Sequence, residues 1–222
     1  MKPEKPEKEW NFDDGRAARY DRAVSGDHPL YARYEEVLDE VAARAAPTAG
    51  KRVLDIGTGT GNLARRCVSV GAAFVGLDPS EEMLAKAREK HSGDADVRFD
   101  LAPEPFLTIP FPEASFDAVI STYAFHHIPS GKKPKAIREM VRVLRPGGFW
   151  VLGDLIFENE TAERAALQQY RWLEEEYFAR IGELRPIFAD LGMELQAVRF
   201  TPVTWVLSAR KGETNPAERD ME

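Results

Sequence analysis

A single cysteine, Cys67, stands in 222 residues, so no intramolecular disulfide is available. It falls inside a helical stretch with no base beside it, which reads as a packed thiol rather than a nucleophile. No apolar run reaches the roughly 18 residues that a bilayer span requires. The opening MKPEKPEKE has none of the apolar core of a secretory signal. Together these absences lead us to expect a soluble protein of the reducing cytoplasm. A basic excess is also missing: 30 lysines and arginines face 37 acids, for a net charge of −7. That balance argues against broad binding to nucleic acid or to an anionic membrane. Internal repeats and long low-complexity segments are absent as well.

With 43% hydrophobic residues the chain can bury one full core. Residues 1–9 and 211–222 are charged and have little to bury, so both are expected to be loose tails around a single domain over 10–210. Within it, 10–46 is expected to form a helical lid and 51–210 the core. Tyr34, Val37, Leu38, Val41 and Ala45 recur at helical spacing before Pro47. From Lys51 short apolar runs alternate with helices: strand 52–56, helix 60–70, strand 73–77, helix 80–91, strand 97–102 and strand 116–121. This is the rhythm of a parallel α/β sheet. A helix over 132–144 should stop at RPGG (145–148), with the strand FWVLGDL after it. Ala166, Tyr170, Leu173, Tyr177 and Ile181 share one stripe of a long expected helix, and a shorter helix spans 183–191. The last two apolar runs are joined by Thr201 and Pro202 alone, so they should pair antiparallel.

The richest motif is RVLDIGTGTGN, Arg52 to Asn62, a buried strand running into a glycine turn that opens a helix. Gly57, Gly59 and Gly61 permit a sharp bend and a close approach of backbone to ligand. The spacing is G-x-G-x-G, not the G-x-G-x-x-G of dinucleotide sites, and Asp55 just before it would repel a pyrophosphate but suit a cationic ligand. Asp78 ends the next strand, twenty-one positions after Gly57, where nucleotide-binding folds place a ribose-binding acid. It could also cap the helix that follows, although Ser80 is better placed for that.

DIGTGTGN, GLDPSEEML, the SFDAVIST strand and the VLRPGG stop resemble the successive motifs of class I S-adenosylmethionine-dependent methyltransferases. FDDGRAARYD and STYAFHHI resemble, more narrowly, the YrrT-like group of small bacterial methyltransferases. The resemblance implies a Rossmann-like seven-stranded, mostly parallel sheet with a C-terminal antiparallel hairpin and helices on both faces. S-adenosylmethionine would be the cofactor. Gly57, Thr58 and Gly59 would pass under its methionine and ribose, Asp55 would face its amino group, and Asp78, with Pro79 beside it, would hold the ribose hydroxyls. Met83 would cover one adenine face or pack in the core. Pro105 stands where the family commonly has an adenine-binding aspartate, which leaves Asp100 or Glu104, with Glu104 favoured by counting and Ala102 supplying backbone. Tyr20 would lie on the lid.

The fourth strand ends at Ser121, and TYAFHHI follows where a strand tip faces the crevice. Methyl transfer from a sulfonium needs alignment and exclusion of water more than covalent machinery. An acceptor that arrives protonated must lose its proton, and His126 or His127 is the nearest base, His126 being favoured; Tyr123 could line the acceptor site or pack. Adjacent histidines with no companion carboxylate at suitable spacing make a poor metal site, so no metal is assigned. Segments 10–35 and 155–185 should roof the pocket. The resulting expectation is a methyltransferase, monomeric or homodimeric, acting on a small molecule. A nicotinamide-dependent oxidoreductase and a catalytically silent binder of S-adenosylmethionine are the alternatives.

Overall fold

In the computed structural model, residues 16–26, 29–170 and 176–213 are described. Both expected tails, except 211–213, and Leu173 of the expected long helix lie outside them. The strands are β1 (Arg52–Ile56), β2 (Ala73–Asp78), β3 (Val97–Leu101), β4 (Phe116–Thr122), β5 (Leu144–Phe157), β6 (Ala179–Arg180), β7 (Gln196–Arg199) and β8 (Thr204–Arg210). The helices are α1 (Arg16–Val24), α2 (Tyr34–Ala45), α3 (Ala64–Val68), α4 (Glu81–Lys90), α5 (Lys133–Arg142), α6 (Glu160–Gln169) and α7 (Ile181–Asp190).

Side chains alternate across the strands, and both faces are covered. Leu54, Val119, Trp150 and Leu152 pack with Ile137 and Met140 of α5 and Leu184 and Phe188 of α7. Val53, Ala118, Ile120 and Val151 pack on the other face with Val37, Leu38 and Val41 of α2. Burial on both faces is what a parallel sheet requires. The spatial order is β3-β2-β1-β4-β5-β8-β7. β8 runs antiparallel to β5 and β7; its pairing with β7 is the expected hairpin, with the connection spanning residues 200–203. The chain order reverses between β1 and β4, so a crevice opens there above the carboxyl ends of the strands. At the opposite end of the sheet, Asp117 accepts hydrogen bonds from the Arg52 backbone, Lys51 and Arg145 at 2.7–3.0 Å.

The structure departs from the sequence-based expectations at four places. α3 starts at Ala64 rather than 60, because Gly59 and Gly61 hold φ of +54° and +75°, which no right-handed helix admits. RPGG lies inside β5, whose pairing with β4 shifts register between Phe116 and Ala118, and Gly147 takes φ +76° there. The long helix through 166–181 does not form: α6 ends at Gln169 and Ala179–Arg180 extend as β6. The reason is β5, which runs on for 14 residues and leaves Ile156 and Phe157 to be paired by Ala179 and Arg180. The main path therefore has the seven expected strands and β6 is an eighth. Finally, α2 packs on a sheet face rather than forming a lid, with Tyr34 at its start reaching Asn62, while α1 contacts the glycine turn through Asp21. No described helix is long and apolar enough to cross a membrane.

Candidate functional site

The glycine turn is fixed from β2. Gly57 and Thr58 both donate backbone N–H bonds to Leu77 O, at 2.8 and 3.0 Å. Asp78 then spans two turns, its Oδ2 accepting from Gly59 N and its Oδ1 from Ser80 N, each at 2.9 Å. Ser80, not Asp78, caps α4 by accepting from Met83 N. A Cβ on Gly57 would stand 2.4 Å from the Ala124 Cβ, whereas one on Gly59 would meet nothing within 4 Å. Gly57 is thus demanded by packing, and the space over Gly59 is open to a ligand.

Asp55 is 1% exposed and its Oδ1 has no hydrogen-bond partner. Burial, with Asp78 nearby, pushes its carboxyl up to about 7. The Ser121 hydroxyl near the end of β4 is buried and unpartnered too, while Thr58 stands close enough to Asp55 to temper that rise. Buried polar atoms without partners are costly, and here they sit on adjacent strand tips at the crevice. A cationic ligand with hydroxyl donors would satisfy them, so these residues fit an S-adenosylmethionine-type group.

Several other residues frame this half of the site. Met83 is buried yet belongs to neither sheet-face cluster. Ala102 is buried and its N–H bonds Asp78 O at 3.0 Å. Pro79 is half-buried beside Asp78. Glu104 is exposed, its carbonyl closing a turn with Leu107 and Thr108, while Asp100 pairs with Arg98. Tyr20 of α1 brings its hydroxyl to 3.3 Å from that of Tyr34, which also accepts from Asn62 Nδ2. Burial holds the Tyr20 phenol well above its ordinary value. Asp21 beside it fastens α1 to the turn through Thr60 Oγ1 at 2.7 Å and Lys90 Nζ at 2.8 Å.

Past β4, Tyr123 takes φ +50° and packs with Tyr31 and Tyr34. Residues Phe125–His127 form a 3-10 turn. Buried Asp154 on β5 organises it: Oδ2 accepts from the Phe125 and His126 N–H groups at 2.7 and 3.2 Å, and Oδ1 stands 2.6 Å from His126 Nδ1. Burial pushes the Asp154 carboxyl up, but the His126 ring, the Leu155 N–H and Lys133 outweigh it and hold it below the ordinary range. With Asp154 ionised and able only to accept, Nδ1 is the nitrogen that donates to it, and Nε2 is the one left facing away from the carboxylate. Lys133, pushed down to about 7 by burial, donates to Phe125 O at 2.7 Å from under the same turn.

The two histidine rings do not diverge; their centroids are 4.0 Å apart. Burial and His126 push His127 down to about 4, against the opposing pull of Glu176, whose Oε2 is 3.0 Å from His127 Nδ1. A companion carboxylate for the histidines, absent at suitable spacing in the sequence, thus arrives 49 residues later in the chain. Asp154, Lys133, Asp21 and Glu176 are not distinguishable from the sequence. Cys67 is buried and its thiol is pushed up to about 12, in keeping with a packing role.

A family profile described as a methyltransferase domain matches residues 53–148. An uncharacterised methyltransferase of Geobacillus kaustophilus is 33% identical over 207 residues, covering 89% of this chain and 94% of its own. One from Oceanobacillus iheyensis is 30% identical over 204 residues, covering 88% and 93%. Among solved structures, magnesium protoporphyrin IX methyltransferase from Synechocystis, with bound S-adenosylhomocysteine, superposes with a TM-score of 0.70 at 19% identity, covering 89% and 95%. These relatives leave no place for the nicotinamide reading. The chain belongs to the class I methyltransferases, the family that draws its methyl group from S-adenosylmethionine.

Proposed function

We propose that the protein moves the methyl group of S-adenosylmethionine to a small-molecule acceptor whose proton is taken up at His126. The observation that carries this reading is the 2.6 Å pairing of Asp154 with His126 Nδ1, which orients the ring and leaves Nε2 as the position turned to proton exchange with the acceptor. The cofactor supplies an electrophilic methyl on sulfur. Asp78 holds the sugar hydroxyls, Asp55 pairs with the amino group, and Thr58, Gly59, Pro79 and Ser121 line the floor. Met83, Ala102 and Glu104 border the adenine, and Tyr20 closes the lid side. Tyr123, His126 and His127 face the acceptor. In-line displacement needs little more than this alignment. An acidic chain with a buried lone thiol suits the cytoplasm, as a monomer or homodimer. The STYAFHHI and FDDGRAARYD motifs support the YrrT-like group.

Two measurements test this. Calorimetric titration with S-adenosylhomocysteine should show binding that Asp78→Ala weakens at least tenfold; equal binding by both proteins overturns the ribose role. Incubation with methyl-labelled S-adenosylmethionine and a bacterial extract should place label in the low-molecular-weight fraction. Label in protein or nucleic acid alone overturns the small-molecule acceptor, and none in any fraction favours the silent binder.

A further inference from the structure

Outside the cofactor half of the crevice, one cluster has the chemistry of a metal centre. Among the described residues, His126, His127 and Glu176 each offer one donor atom, and these atoms lie within 4.8 Å of one another. The pairing of His126 Nδ1 with the buried Asp154 is the arrangement by which metal-binding histidines are oriented, a carboxylate on one ring nitrogen leaving the other for the ion. His127 Nδ1 and Glu176 Oε2 are 3.0 Å apart. Two donors on a tetrahedral ion, each at about 2.1 Å, would be separated by about 3.4 Å, so a few tenths of an ångström of opening between these two atoms would admit the ion. Two imidazoles and one carboxylate suit zinc and its neighbours in the first transition row, and three protein donors leave a position open.

We propose that His126, His127 and Glu176 form a binding site for a divalent transition-metal ion of the zinc class, with Asp154 as the group that orients His126. The ion takes Nε2 of His126, the same lone pair that the proposed function uses for proton uptake. Metal and proton are therefore alternative occupants of one nitrogen, and loading the ion turns proton uptake off. The segment that carries Glu176 is already held to this turn, since Tyr177 N–H donates to His126 O at 2.9 Å. The regulatory consequence rests on the reading of His126 as the base, whereas the binding itself does not.

Cobalt(II) is the probe, since its visible bands report the ligand set. Titration of the full, tag-free chain should give one equivalent bound, with bands of a four- or five-coordinate nitrogen and oxygen site, displaced by zinc. Glu176→Gln and His127→Gln should each weaken binding at least tenfold, and Asp154→Asn should weaken it less. S-adenosylhomocysteine binding is measured on every variant as a check that it has folded. Failure of the wild-type chain to bind cobalt, or equal binding by Glu176→Gln and His127→Gln, overturns the site. Cobalt binding in a chain that never binds S-adenosylhomocysteine leaves the site standing and sinks the methyl-transfer reading instead. Zinc that leaves label transfer unchanged at full occupancy overturns the regulatory consequence.

Discussion

His126 and Asp154 lie 28 residues apart in sequence and meet at 2.6 Å, nitrogen to oxygen, with both side chains buried. The same carboxylate accepts the backbone N–H groups of Phe125 and His126, so one acid fixes both the position of the turn and the tautomer of its histidine. Asp154→Asn keeps the size and removes the charge. Label transfer should fall by about 10²-fold or more, the usual worth of a positioned acid–base group. S-adenosylhomocysteine affinity should change less than threefold, and nitrogen NMR should show loss of the single Nδ1–H tautomer.

Cofactor affinity should depend on pH through Asp55. Its carboxyl is raised to about 7 by burial, so it is mostly protonated below that value and ionised above it. Binding of a ligand amino group requires the ionised form. Affinity should then rise by about tenfold per pH unit up to pH 7 and level off beyond it, following proton linkage. The sign for stability is opposite: the ligand-free fold loses stability as pH climbs from the ordinary carboxylate range to 7. Asp55→Asn should flatten both curves, in calorimetry and in thermal melts respectively.

Gly57 and Gly59 should separate two kinds of damage. Gly57→Ala adds a Cβ 2.4 Å from the Ala124 Cβ at φ +72°, and denaturant unfolding should show a loss of about 2 kcal/mol or more. Gly59→Ala meets no neighbour and carries only its strained φ of +54°, about 1 kcal/mol. Its new methyl nevertheless occupies the open space above the turn, so S-adenosylhomocysteine binding should be lost in a protein that still folds.

At the far end of the sheet, Asp117 tests stability without touching the crevice. Burial raises its carboxyl, but the Arg52 N–H, Lys51 and Arg145 outweigh this and hold it below the ordinary range. Its contribution is therefore present above the ordinary carboxylate value and lost as pH falls through the lowered one. Asp117→Asn should melt lower at neutral pH, with the gap narrowing in acid and ligand affinity unchanged.

The strands β1 and β2 were legible almost to the residue, because both are short apolar runs buried on two faces and punctuated by glycine. The hairpin of β7 and β8 was legible because the connection, 200–203 in the structure, is too short for a helical crossover. The five apolar positions of α2 were right for a similar reason, and all five are buried. In the site, Asp55, Asp78 and the glycine turn could be read since strand, bend and acid are contiguous. Asp154 and Glu176 could not: their partners lie 28 and 49 residues away, and nothing local distinguishes a carboxylate that binds a histidine from one facing water. β6 was hidden because its stripe of apolar residues satisfies a helix equally well, and only the overlong β5 decides between them.

Leu155, Phe157, Ala166, Phe178 and Val203 form a small cluster of their own, with Leu30 from the N-terminal side packed against it. This patch ties the end of β5 to α6 and to the segment before β6, and Leu30 links it to the sheet face that α2 covers. Under the proposed function, side chains there could be repacked with the glycine turn undisturbed.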